Sequence, residues 1–377
     1  MSIGQKLHII SFDIPFPADY GGAIDMFYKI KSLAKAGINI TLHCFKYGRP
    51  EAQELKKYCE KVYYYPRAKG LFYALKKQPY IVATRNSPAL LKNLLTDNSP
   101  ILFEGLHSCY FLAHPELATR KKIVRMHNVE HDYYRNLSGA EPHIFKRIYF
   151  RNESIKLKRF EQVISHADLV VTISPSDQKY FENIHQQAEL IPAFHQFEEV
   201  KSKPGSGGYF LFHGNLSVAE NLKAVNFLLH KVFTPGEIPL VVAGKNPPQK
   251  LLRKVGGIPN VKIIAAPSPQ QMDELVMNAQ GCVIPSFQST GLKLKLLASL
   301  FSGRFCITNP PVVANTGLEN LCVVADSATQ MQEAVKNMAG KVFSEKNIEE
   351  RKHILGDRFS NKLNAERLIN LIWNHPV

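Results

Sequence analysis

The sequence predicts an α/β protein built from two doubly wound parallel sheets, and three observations carry that prediction. Short apolar runs, hydrophobic on both faces, alternate with amphipathic helical segments along the whole chain, as strands covered by helices on both sides do. A polar stretch rich in Pro, Gly and Ser (EVKSKPGSGG, Glu199 to Gly208) interrupts the alternation about halfway. The chain has 377 residues, which suits two domains of ordinary size.

Each element follows from local pattern. In the first half, LHIISF reads as the opening strand, and Ala23, Phe27, Ile30 and Ala34 recur behind it at helical spacing. Gly37 stops that helix, and INITLHCF, PILFEG, KKIVRMH and ADLVVTIS are the next strands. The second half repeats the scheme with YFLFHG, IPLVVAG, NVKIIA, GCVIPS, RFCITN and LCVVAD. The expected organisation is therefore a first domain at 1–198, a linker at 199–208 and a second domain at 209–356. A helix at 357–377, with apolar Leu363, Leu368, Ile369, Leu371 and Ile372, is expected to return to the first domain.

Bulk properties narrow the class. A 45% apolar and 21% charged composition is that of a soluble globular protein. The six cysteines stand far apart, mostly in apolar runs, so they read as small core hydrophobes in a reducing compartment. No window is long and apolar enough to span a membrane, and the N-terminus lacks a signal peptide's apolar region, so a cytoplasmic location is expected. The net charge of +15 is spread over both halves and calls for an anionic partner. Nucleic acid is not that partner: no helix-turn-helix, zinc or RNA-recognition signature is present. Two stretches, YYYPRAKGLFYALKKQPY and FKRIYFRNESIKLKRF, mix aromatic and basic residues. On short helices they would suit peripheral contact with an anionic membrane, here the cytoplasmic face of the inner membrane; a solvated helix with a partly buried aromatic face is the plainer reading.

In open α/β sheets ligands bind at the carboxyl ends of the strands, so the loops there locate the chemistry. After the first strand, Gly21 and Gly22 open a helix, where free N–H groups favour an anion and a missing Cβ lets it approach. The spacing is not the dinucleotide fingerprint G-x-G-x-x-G, which argues against a nicotinamide or flavin enzyme. FEGLHS and VRMHNVEHDYY put Glu104, His107, His127 and Asn128 at two further strand ends, as candidates for positioning or proton transfer. A metal there would need more ligands than two histidines four apart provide, so none is expected.

In the second half, GNLSVAENLKA follows a strand. Gly214 and Asn215 would admit a diphosphate, Ser217 would cap the next helix over a stripe of Val218, Leu222, Val225 and Leu229, and Lys223 sits one turn in. The most specific loop is PSFQSTGLKLKLLASLFSGRFCITN. Ser286, Ser289 and Thr290 form the turn, a helix begins at Gly291, and Leu292, Leu296 and Leu300 hold it to the core. Lys293 and Lys295 in its first turn oppose the helix dipole at about 0.3–1 kcal/mol each, a cost that a bound polyphosphate offsets.

These residues resemble the group 1 (family 4-like) glycosyltransferases of the GT-B fold, most closely from Tyr209 to Leu318. The resemblance implies two Rossmann-like domains facing a cleft, the first taking the acceptor and the second a nucleotide-sugar. It implies metal-independent transfer with retention, with a hexose-type sugar from a UDP- or GDP-sugar and no other cofactor. By position, Gly21 and Gly22 match the family's glycine loop, His127 the histidine near the transferred sugar, and GNLSVAENLKA the first donor loop. STGLKLKLLASLFSGRFCITN matches the signature of a glycine, two lysines and an acidic helix. Its form resembles a divergent bacterial branch associated with surface polysaccharide or lipid-linked glycan assembly. Two family glutamates are replaced by Thr290 and Ala298, and the first donor loop lacks the usual arginine and lysine. Lys223, Lys245, Lys293 and Lys295 are the available substitutes. A catalytically degenerate GT-B partner and a GT-B sugar-nucleotide epimerase or phosphorylase stay as alternatives, the epimerase disfavoured by the missing carboxylates.

Overall fold

The computed structural model describes residues 4–233, 237–287, 294–314 and 316–373, without the side chain of Ala140. The chain divides into two compact units, Met1–Gln196 with Asn361–Val377, and Phe197–Ser360.

Unit 1 is a seven-stranded parallel sheet. Its strands are β1 (Lys6–Ser11), β2 (Asn39–Lys46), β3 (Lys61–Pro66), β4 (Ile101–Glu104), β5 (Lys122–Met126), β6 (Leu169–Thr172) and β7 (Ala188–Leu190). Their spatial order is β3-β2-β1-β4-β5-β6-β7. The order reverses between β1 and β4, and a doubly wound sheet opens a ligand crevice at that point, beyond the carboxyl ends of its strands. Helix α1 (Gly21–Lys35) covers one face and ends where Gly37, at φ +88°, lets the Ile38 N–H return to Leu33. Helix Asn361–Trp373 packs on α1 and lays Leu368, Ile369 and Ile372 into the same apolar cluster as Leu7, Ile9 and Phe27. Leu363 stays on the outside of that helix.

Unit 2 has six parallel strands: β8 (Phe210–His213), β9 (Leu240–Gly244), β10 (Val261–Ala265), β11 (Gly281–Ile284), β12 (Phe305–Thr308) and β13 (Val323–Val324). The order β10-β9-β8-β11-β12-β13 repeats the scheme of unit 1, with its switch point between β8 and β11. The stretch from Glu199 to Gly208 is tied into this unit: the Ser202 hydroxyl donates to Gly303 C=O at 2.7 Å, and the Gly207 N–H to Gln280 Oε1 at 2.6 Å.

Three local expectations are corrected. The residues Tyr63, Tyr64 and Tyr65 belong to strand β3; within that stretch only α2 (Leu71–Ala74) and Tyr80, which opens the helix Tyr80–Ala83, are helical. Ser217 does not cap the following helix, which spans Ala219–Phe227 with Val218 at its N-cap and no side-chain cap. The Ser217 hydroxyl is spent instead on Asn215 Oδ1 at 2.8 Å. Val218 points outward, so the buried stripe rests on Val225 and Leu229. Among the described residues no helix is long and apolar enough to cross a membrane, and all six cysteines are free thiols, five of them buried.

Candidate functional site

The switch point of unit 1 is built on a buried ionic network. Glu104, the last residue of β4, and Asp25, on the inner face of α1, are two carboxylates with 0% and 2% exposure. Two buried cations match them. Lys29, one turn beyond Asp25, reaches Glu104 at 2.7 Å and Asp25 at 3.2 Å. Arg125 of β5 grips Asp25 through two N–H groups, at 2.9 and 2.8 Å, and donates to the carbonyls of Ile191 and Pro192 at 3.1 Å. Bidentate geometry of this kind is the strong form of the pair. Burial pushes the Glu104 carboxyl up, but Lys29 and His127 outweigh it and hold it below its ordinary value. Asp25 is likewise held down, burial being overcome by Arg125 and Lys29.

His127, just past β5, is the network's outlet. Its Nε2 lies 2.9 Å from Glu104 Oε2 and 3.7 Å from Asp25 Oδ2. An ionised carboxylate only accepts, so Nε2 carries the proton, and Nδ1 is the ring atom left to meet a ligand. Glu104 therefore positions His127. Asp25, Glu104 and His127 could in principle hold a metal ion. Their charge is already matched by Lys29 and Arg125, which an incoming divalent ion would have to displace.

Phe12, which follows β1, gathers the other groups. Its ring stacks on His107 at 4.9 Å and meets His127 edge-on at 5.4 Å. A Cβ on Gly22 would come within 2.8 Å of Phe12 Cζ, so Gly22 is small to admit this ring. The first turn of α1 has no side-chain cap and no acidic residue, leaving N–H groups at Gly21 and Gly22 for an anion. The Arg85 side chain, 3% exposed, donates to Phe12 C=O at 3.0 and 2.7 Å and fixes that loop. His107 Nδ1 lies 3.8 Å from Glu130 Oε1; burial and then the Arg85 charge push the imidazole well below its usual range. Burial, reinforced by Glu161, pushes Glu130 up to about 8. Asn128 is half-buried beside them.

At the switch point of unit 2 the chain approaches itself closely. A Cβ on Gly244, at the end of β9, would land on the Gly214 carbonyl oxygen, and Gly214 N–H bonds Ala243 C=O at 3.0 Å. Asn215 Oδ1 accepts from the Ser217 N–H at 3.1 Å, and Asn221 Nδ2 donates to Asn215 C=O at 2.9 Å. Lys295, in the first turn of helix Leu294–Ser302, donates to Asn221 Oδ1 at 3.2 Å and lies 5.1 Å above the Phe212 ring. Burial, then the Lys295 charge, pushes the neighbouring His213 down to about 4. Ser286 is fully buried; its N–H goes to Asn309 Oδ1 at 2.9 Å and its hydroxyl to Glu220, so it pins the loop. Lys223 is exposed over Phe287 at 4.4 Å, and Lys245 is exposed beside Gly244. Ser289, Thr290, Gly291, Leu292 and Lys293 lie outside the described residues.

The structure thus brings Glu104, His107 and His127 together with the Gly21–Gly22 turn in unit 1. In unit 2 it brings Gly214, Asn215 and Lys295 together, while Ser286 serves the scaffold. Sequence reasoning missed Asp25, Lys29, Arg125, Phe12 and Asn221. The available signals were an Asp–Lys pair four apart on an apolar helix face and an arginine inside a strand of Ile, Val and Met.

No protein-family model matches the chain. A Klebsiella pneumoniae protein described as an "uncharacterized 44.6 kDa protein in cps region" is 27% identical over 360 residues, covering 89% of this chain and 92% of its own. Among solved structures, TarM aligns with a TM-score of 0.67 at 11% identity, over 99% of both chains. HepE from Anabaena, solved with UDP and glucose, gives 0.66 at 10% identity over 98% of this chain and 100% of its own. WaaG, a glycosyltransferase involved in lipopolysaccharide biosynthesis, gives 0.64 at 13% over 98% and 100%. With two parallel sheets wound in one order and these neighbours over nearly its full length, the chain has the GT-B fold, two Rossmann-like domains of the kind found in glycosyltransferases.

Proposed function

We propose that the protein is a retaining glycosyltransferase that moves a hexose-type sugar from a UDP- or GDP-sugar to a hydroxyl of a glycan or lipid-linked acceptor. The observation that carries this reading is the loop after β8: Gly214 and Asn215 are fixed against Gly244, with Lys295 directed onto Asn221 at their side. Such a site offers a diphosphate close backbone approach and a cation, which is what stabilising a leaving nucleoside diphosphate requires. Unit 2 is then the donor unit, with Lys223 and Lys245 exposed at its rim. Unit 1 takes the acceptor and supplies His127, whose ring Glu104 orients. The Lys29 and Arg125 cations beside the carboxylates support chemistry without a metal ion.

Two relatives support the substrate class. HepE was solved with UDP and glucose, and a TarM variant from S. aureus with fondaparinux, α-GlcNAc-glycerol and UDP. The cps-region relative supports a place in surface polysaccharide assembly. The test is thermal unfolding against UDP, GDP, ADP and CMP and their sugars. A nucleotide at a hundred times its dissociation constant adds about 2.7 kcal/mol of stability, and the selective one names the donor. Proton NMR of the product with that donor, in EDTA, then reads the anomeric configuration. No stabilisation by any of them would refute the donor site.

A further inference from the structure

Unit 1 carries an exposed surface to which the proposed transfer assigns no residue. On α2 and its C-cap Leu75, and on helix Ile144–Phe160, the side chains of Leu71, Phe72, Leu75, Ile144, Phe145 and Ile148 stand exposed. Leu71, Leu75 and Phe145, at 86%, 85% and 85%, are the most exposed large apolar side chains among the described residues. The two helices are tied together: Lys156 Nζ donates to Ala74 C=O at 2.6 Å, and Glu153 accepts the N–H of Tyr80, which opens the helix after α2, at 2.6 Å. Charge on this surface is predominantly positive, with Glu141 at the foot of the second helix accepting the His143 N–H at 3.0 Å. Residues 61–96 and 142–152 contain no Asp or Glu. The one acid of helix Ile144–Phe160, Glu153, is 1% exposed and paired with Lys156 at 2.9 Å. Exposed bases surround the apolar groups: Lys69, Lys77, Lys146, Arg147, Arg151 and Arg159.

We propose that α2 and helix Ile144–Phe160 form a docking surface for an anionic lipid bilayer. Apolar side chains enter between the acyl chains while the flanking lysines and arginines meet the phosphates, a combination that needs both features at once. A soluble polyanion would use the bases but leave Leu71, Leu75 and Phe145 in water. A second copy of the chain would set like charges against like across a two-fold contact. The inference goes beyond glycosyl transfer and does not rest on it.

The experiment is flotation of the full chain with phosphatidylcholine vesicles, with or without phosphatidylglycerol. The wild-type protein is expected to float with the anionic vesicles only, and less so as salt rises. Phe72→Ser with Leu75→Ser and Phe145→Ser should lower the bound fraction at least tenfold, as should Lys146→Glu with Arg147→Glu. Every substituted side chain is exposed, and circular dichroism and the thermal response to UDP should stay as in the wild type. Unchanged flotation of the serine variant, or none by the wild type, overturns the proposal. So does a dimer in sedimentation that the serine variant abolishes while vesicles remain unbound, which would give the surface to a second copy.

Discussion

Replacing Lys29 with methionine tests the buried network most directly. Methionine keeps the straight apolar stem, so packing changes little and the loss is chiefly one positive charge. Lys29 and Glu104 are both fully buried and 2.7 Å apart, and Asp25 stands 3.2 Å away on the other side. Removing one partner of such a pair strands a charge, at about 3–5 kcal/mol. For a unit of this size that corresponds to a fall in Tm of about 6–20 °C. The only tryptophan, Trp373, lies in unit 1, so its fluorescence follows this unit's unfolding and not that of unit 2. The pH dependence has a definite sign. In the wild type the folded pKa of Glu104 is lowered, so its contribution is present above the unfolded value and is lost as pH falls through the folded one. Of Lys29 and His127, only His127 is left in Lys29→Met to offset burial, so the folded value moves up and the stability present above it shrinks. The gap between the two proteins should therefore shrink as pH falls through the ordinary carboxylate range and widen as pH rises above it. Adding Glu104→Gln to Lys29→Met removes the stranded charge and should recover about half of the loss. A loss below about 1 kcal/mol, a pH-independent gap, or simple additivity of the two substitutions would refute the reasoning.

Three further outcomes are expected. Lys295→Ala should weaken UDP binding about 10–100-fold by calorimetry, the worth of one charge-assisted hydrogen bond of roughly 1.5–3 kcal/mol. His127→Ala should lower turnover with the identified donor about 10²–10⁴-fold while leaving the UDP dissociation constant unchanged. Glu130, whose folded pKa is raised to about 8, contributes stability below its unfolded pKa that is lost as pH rises through 8. Glu130→Gln should therefore stabilise unit 1 progressively across that window, seen as a Tm gain that grows from acid to mildly alkaline pH.

Much of the fold was legible because a parallel strand buried on both faces must be apolar throughout, as VVTIS and CVIPS are. Strands β3 and β7 were not legible. KVYYYP is a half-buried edge whose aromatics suit several surfaces, and Ala188–Leu190 is three residues long. At the site, His127 and the glycine turns could be placed because strand ends mark the crevice. The network behind His127 could not, because Arg125 meets Asp25 from a hundred residues away in sequence and only the β1–β4–β5 order joins them. Gly22 was legible as a glycine whose absent Cβ matters, but the atom it makes room for belongs to Phe12.

Helix Asn361–Trp373, which completes the apolar cluster on α1, sets the order of assembly on the ribosome. Unit 2 is continuous in sequence, so it holds everything it needs as soon as Ser360 has emerged. Unit 1 begins first yet finishes last. The apolar cluster on its α1 face lacks Leu368, Ile369 and Ile372 until all of unit 2 has been synthesised. A nascent chain stalled anywhere before residue 361 therefore shows a chaperone an open apolar groove.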